Sequence, residues 1–236
     1  MKKIIVFVVI IMLMLIFLSF IGFLVFQKPE EREDVKEEIS VNDVLVEEVF
    51  KSIDAGSNYD FQDEVYKKGT FSNQYILGLS LSRYFLDNPD SKEVNESVID
   101  AYVKKIFGSI TYAHESGYFL TSSLCKFTYD KATHFYKINT ECNHVATKNI
   151  LKKRVKAYKT ATVLYVEEKI IVTDKESIES DMLTIYKDIA ETGKLGVQKE
   201  GTFTIDDFLS EAETYEYKFE FDGESFVFKE IKKINT

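Results

Sequence analysis

Apolar residues run from Ile4 to Phe26 with no charge among them, interrupted only by Ser19 and Gly22. As a helix rising about 1.5 Å per residue, the run covers about 34 Å, enough for a bilayer core of about 30 Å. It predicts a transmembrane helix. A cleavable leader has a shorter apolar centre and a small-x-small site, whereas this run closes on Phe20-Ile21-Gly22-Phe23-Leu24-Val25-Phe26, which predicts an uncleaved anchor. Lys2 and Lys3 on one side face Lys28, Arg32 and Lys36 on the other, so positive charge does not decide orientation. A short tail followed at once by a long apolar run has the form of a retained export signal. The expected layout is a cytoplasmic tail at 1–3, an anchor at 4–26, a charged tether at 27–39 and an extracytoplasmic domain at 40–236. That makes the chain a single-pass protein of the cell membrane, with the membrane as its first partner.

Beyond the tether the pattern becomes helical. Val41, Val44, Leu45, Val49, Phe50 and Ile53 follow the start signal Ser40 to Asp43 at helical spacing. Ser72 caps a second helix that carries Tyr75, Ile76, Leu79, Tyr84 and Phe85 and ends near Asn88-Pro89. A third opens at Ser91 with Glu93, has a face of Val94, Val98, Tyr102, Val103, Ile106 and Phe107, and stops at Gly108.

The period then falls to two. Phe127 and Tyr129 face Tyr136 and Ile138 across Asp130-Lys131-Ala132-Thr133, a hairpin. Residues 154–172 are too long for one strand and are divided at Thr160 to Thr162. The segment 174–201 has mixed propensity, and Thr204 begins a helical turn through Asp207. Tyr215, Tyr217, Phe219 and Phe221 alternate up to Asp222-Gly223, and Phe226, Phe228 and Ile231 return. Helices first and antiparallel strands after is the α+β pattern, with helices covering one face of a curved antiparallel sheet and the last hairpin expected at its centre. This element order resembles the NTF2-like and cystatin-like folds. Val103-Lys104-Lys105-Ile106-Phe107-Gly108-Ser109-Ile110-Thr111-Tyr112 and the closing strand pair from Tyr217 to Phe228 also resemble uncharacterised single-span membrane-anchored proteins of low-GC Gram-positive bacteria. That resemblance implies an envelope location and brings no activity.

The charge balance narrows the partners. Lys2 and Lys3 are the only charges among the first 26 residues, so the rest carries 28 basic against 39 acidic residues, a net of −11. Such a surface repels nucleic acid. The basic cluster Lys152, Lys153, Arg154 and Lys156 is the candidate patch for an anionic polymer or an acidic face of another envelope protein; the simpler reading lines Lys152, Arg154 and Lys156 along the solvent side of a strand.

Cys125 and Cys142 flank the first hairpin and fit a disulfide across it, in keeping with an outside location. A metal site built from Cys125, Cys142, His144 and His134 lacks the usual ligand spacing. His114, alone after a strand, reads as a surface or hydrogen-bonded histidine rather than a ligand. Ser123-Leu124-Cys125-Lys126 matches S-x-x-K, but the S-x-N and K-T-G partners are missing, and Glu191-Thr192-Gly193-Lys194 does not supply the latter. Phosphate loops, zinc-protease helices and nucleophile elbows are absent. No catalytic residue, cofactor or metal is therefore assigned. The expectation is an envelope binding or interaction module, and the alternative is a small-molecule binder or enzyme using the concave pocket of an NTF2-like cone.

Overall fold

Thirteen-residue β7 is the spine of the domain: it spans Val163–Lys175 and organises one of two antiparallel sheets. A computed structural model describes residues 36–54, 71–119, 125–139, 148–177 and 179–234. The apolar run Ile4 to Phe26 and most of the tether lie outside the described residues. Among the described residues no helix is long and apolar enough to cross a membrane.

Three helices, α1 (Val44–Ser52), α2 (Asn73–Asp87) and α3 (Glu96–Phe107), accompany eleven described strands. In the large sheet the order is β1 (Glu37–Ile39), β6 (Lys148–Lys159), β7, β10 (Glu213–Phe221), β11 (Phe226–Ile234). Beyond Ile170, where β10 ends its pairing, β7 takes β8 (Met182–Tyr186) on the same edge, and β8 pairs with β9 (Lys194–Lys199). The smaller sheet runs β2 (Glu93–Asn95), β5 (Phe135–Ile138), β4 (Lys126–Asp130), β3 (Gly117–Tyr118). The α+β class holds, with two sheets where one was expected.

Local chemistry accounts for the helix limits. Asp43 accepts from Leu45 N at 2.9 Å and starts α1, and Ser72 accepts from Tyr75 N at 3.1 Å and starts α2. The third helix begins later than its sequence suggested. Glu93–Asn95 is a strand instead, because it completes the small sheet by pairing with β5, and Asn95 caps α3 by accepting from Ser97 N at 3.0 Å. Gly108 ends α3 with φ 69°, a conformation that favours glycine, and a Cβ there would press on Val227 Cγ2 at 3.1 Å.

The last hairpin is not central. β10 is interior, but β11 is an outer strand; its Phe228 and Ile231 are buried by helices packed against it rather than by strands on both sides. Helix α2 is buried at every position from Tyr75 to Ser82, so its pattern is not that of a one-faced surface helix. It lies in a single core that joins Leu77 and Leu79 to Phe127 and Tyr136 of the small sheet and to Tyr217 and Phe219 of the large one. A second, smaller core of Ile171, Ile185 and Ala212, with Ile205 and Phe208 of a 3-10 turn, packs separately.

Val155 in β6, Leu195 in β9 and Lys229 in β11 are each extra residues opposite an uninterrupted partner strand, and so form bulges. Each bulge twists a strand whose far edge is open or only partly paired among the described residues, which discourages strand addition by another chain. The bulge at Val155 also resets the phase of β6, so that Ile150 and Ala157, an odd number of residues apart, both reach the main core.

Candidate functional site

Among the described residues, two groupings of polar side chains involve the helices. The first joins α3 to the small sheet. Glu96 and Asp100, one helical turn apart on α3, meet His114, Tyr112, Tyr129, His134 and Tyr136. Tyr129 donates its hydroxyl to Glu96 Oε2, Tyr112 donates to Asp100, and His134 Nδ1 lies 2.8 Å from Glu96 Oε1. His114 stands between Asp100, 3.2 Å from Nε2, and the Tyr136 hydroxyl, 2.7 Å from Nδ1. In the neutral imidazole, Nε2–H donates to the carboxylate and Nδ1 accepts from the phenol, which satisfies both nitrogens. The Tyr129 hydroxyl, then His134, hold the Glu96 carboxyl below its ordinary range, and the same bond to Glu96 pushes Tyr129 up to about 12. Burial raises Tyr136 and, together with the bond to Asp100, Tyr112.

A carboxylate–imidazole–phenol chain can relay a proton; Tyr136 at its inner end is 0% exposed, while the Asp100 and His134 side chains at its outer edge reach solvent. Among the described residues no group of three His, Cys, Asp or Glu side chains is set to hold a metal ion. Through Glu96 and its bonds to Tyr129 and His134 the cluster ties α3 to the small sheet. Because the folded-state pKa of Glu96 is lowered, its contribution to stability is complete above the unfolded value of about 4.3 and is lost as pH falls through the folded value. Unfolding free energy measured from pH 7 down to pH 3 is expected to drop in that window, and Glu96→Gln is expected to flatten the drop. An unchanged slope in that variant would remove Glu96 from the cause.

The second place is a groove of about 580 Å³ between α1, α2, α3 and the turn joining β10 to β11. Its apolar lining is Leu45, Val49, Ile106, Phe221 and Phe226. Where α2 closes it, Arg83 pairs with Asp87 and donates to the Lys51 carbonyl at 3.4 Å, and Tyr102 donates to Asp87 Oδ2 at 3.2 Å. The Arg83 guanidinium holds the Asp87 carboxyl below its usual range, and burial followed by the Asp87 charge raises Tyr102. Lys51 and Lys105 line the same groove.

The basic residues singled out in the sequence do not make one patch. Lys153 pairs with Asp206 of the 3-10 turn. Arg154 instead reaches α1, 2.8 Å from Glu47 and 5.2 Å from the Phe50 ring, and donates to the Val41 carbonyl at 3.3 Å. Lys156, past the bulge, is opposite Glu167 and 5.8 Å from the Tyr158 ring. Lys152, opposite Ile170, also has an interaction partner. The expected row of Lys152, Arg154 and Lys156 on one face is thus broken by Val155.

Cys125 is half-buried against the main core, its carbonyl accepts from Phe119 N at 2.9 Å, and no cysteine among the described residues is free. Cys142, His144 and Ser123 lie outside the described residues. His134 belongs to the Glu96 cluster, and His114, expected as a surface or hydrogen-bonded histidine, is hydrogen-bonded at its centre. The spacing of Glu96 and Asp100 on one helix was the available signal for that cluster. The groove had none, since its lining comes from four separated segments.

No protein-family model matches the chain, and neither does any curated protein or solved structure.

Proposed function

We propose that the chain is a membrane-anchored, extracytoplasmic binding module of the bacterial envelope, non-catalytic, with the groove between its helices and the β10–β11 turn as its ligand surface. The groove carries this reading. Its volume falls in the range of about 300–1,000 Å³ usual for ligand sites, and it joins an apolar lining to a few fixed polar groups. The anchor rests on the run Ile4 to Phe26, and the outside location on the form of that run, a short tail followed at once by a long apolar segment.

An NTF2-like or cystatin-like arrangement remains part of the proposal, supported by an antiparallel sheet with helices against it. A cone with an open interior is less well supported, because Phe107, Phe127, Tyr136 and Phe219, each no more than 1% exposed, fill the space between helices and sheets. That filling favours binding at the groove over chemistry inside the domain.

The test is a photoreactive phenylalanine analogue at Phe221, on the groove, and in a second strain at Met182 of β8, which is equally exposed at 43% but outside it. After illumination of intact cells, a discrete adduct is expected from position 221 and none from position 182. Equal adducts from both positions, or none from 221, would remove the groove as the binding surface.

A further inference from the structure

His134 closes the turn between β4 and β5 with φ 59°, a left-handed conformation that glycine or asparagine adopts more readily. That backbone brings both its carbonyl and its ring to the first residue of α3. The carbonyl accepts from Glu96 N at 2.9 Å, and the imidazole Nδ1 lies 2.8 Å from Glu96 Oε1. Within the turn, the Asp130 carboxylate accepts from Ala132 N at 2.9 Å, and its carbonyl accepts from His134 N at 2.8 Å. Lower in the hairpin, Phe127 and Tyr136 are sunk in the main core at 1% and 0% exposure, whereas residues 130–134 are all exposed. Burial therefore fixes the base of the hairpin, and carboxylates fix its tip.

We propose that this tip is an acid-released latch: ionised Glu96 holds it shut against α3, ionised Asp130 braces it from within, and their protonation lets it swing off α3 and uncover Tyr136. The Tyr129 hydroxyl and His134 Nδ1 both bond to the Glu96 carboxylate. Protonation leaves one carbonyl oxygen for two donors and removes the charge that strengthens both bonds. Opening also frees His134 from its left-handed backbone. Tyr129, whose ring centroid lies 4.8 Å from that of Tyr136, moves with the tip. Glu96 is also faced by His114 Nε2 at 4.0 Å, from the loop ahead of β3, and Asp100 on its own helix is bound to His114 and Tyr112. Asp130 is faced by Lys137 of β5, which lies 3.8 Å from Glu93 of β2. The Ala132 amide, then the Thr133 hydroxyl, hold the Asp130 carboxyl below its ordinary range, as Tyr129 and His134 do for Glu96. Both carboxylates thus hold the tip fully above about pH 4.3 and let go as pH falls through their lower folded values.

The test is hydrogen exchange of the full-length chain in detergent micelles, followed by mass spectrometry from pH 6 to pH 3 and scaled to the intrinsic exchange rate at each pH. Peptides covering Glu96 and residues 130–135 are expected to lose protection by roughly tenfold, at a higher pH than peptides from β7 and β10. Glu96→Gln with Asp130→Asn supplies neutral counterparts of the two carboxylates. That variant is expected to show the open tip already at pH 6, with β7 and β10 still protected and no further change at the tip until they open. Loss of protection at the tip and in β7 and β10 together, in the unsubstituted chain, overturns the proposal and needs no variant. So does an acid response of the tip that survives in the double variant.

Discussion

Replacing Phe107 by alanine is expected to lower the unfolding free energy by about 3–5 kcal/mol. Phe107 is 0% exposed at the end of α3, with Phe71 at 5.0 Å, Tyr75 at 6.2 Å and Phe228 at 6.2 Å between ring centroids. One side chain therefore joins α3 to Phe71 just ahead of the α2 cap, to α2 itself and to β11. Truncation removes the transfer free energy of a buried ring and leaves a cavity among other rings that cannot easily close. Denaturant titration followed by tyrosine fluorescence reads the loss, since the chain has no Trp to dominate the signal. Phe221→Ala, at a ring 44% exposed, is the comparison, with an expected change within about 1 kcal/mol. A small change for Phe107→Ala would mean that α3 is not seated on the large sheet as described.

The second large effect concerns the cysteines. Under the proposal that Cys125 pairs with Cys142, reduction is expected to cost about 3 kcal/mol in the chain-entropy model, because the bond closes a short loop around the β4–β5 hairpin. Cys142→Ser should reproduce that loss without reductant, and adding reductant to the variant should then change nothing further. Ready labelling of two thiols in the unreduced protein would end the pairing proposal.

The two effects differ in how far the chain foretold them. Phe107 stands on the face of α3 that helical spacing picks out, directly before the glycine that ends it. The caps Ser72 and Gly108, the division of the long β region at Thr160 to Thr162, and the Asp222-Gly223 turn were equally legible, because a short-range physical rule sets each one. Thr204 was legible for the same reason: it accepts from the backbone of Asp207, whose side chain returns to Thr204 N at 2.8 Å.

What escaped has a different origin. Strands of two or three residues such as β2 and β3 are too short to show a period, so of the small sheet only the β4–β5 hairpin was legible and Glu93 looked like a helix start. The bulge at Val155 inverts the faces of β6 midway, and a strict alternation through Lys152, Arg154 and Lys156 cannot express that. Burial of α2 on all sides needs elements around it that only the assembled domain supplies. The groove is further removed still, since Leu45, Arg83, Tyr102 and Phe221 become neighbours only after α1, α2, α3 and the last hairpin have packed.

Arg154 illustrates how packing reassigns a residue. In the sequence it belongs to a basic run facing an external anion. In the fold its guanidinium fastens the entry to α1 through Val41, Glu47 and Phe50. The adjoining β1 strand pairs with the end of β6, and Lys36 sits 4.6 Å and 5.2 Å from the stacked rings of Tyr158 and Tyr165. The first described residues are thus held to the large sheet by backbone pairing and by charge over aromatic faces, which gives the start of the domain a fixed place on its own edge.

Trypsin added to intact cells tests the central claim most directly, because the tether offers Arg32 between the apolar run and the paired strand at Glu37 to Ile39, the Lys28 bond being blocked by Pro29. An anchored domain outside the cytoplasm predicts release of a folded fragment starting at Glu33, with a cytoplasmic marker left whole. A chain that stays intact on whole cells and is cut at the tether only after lysis would place the domain inside, and would contradict the account.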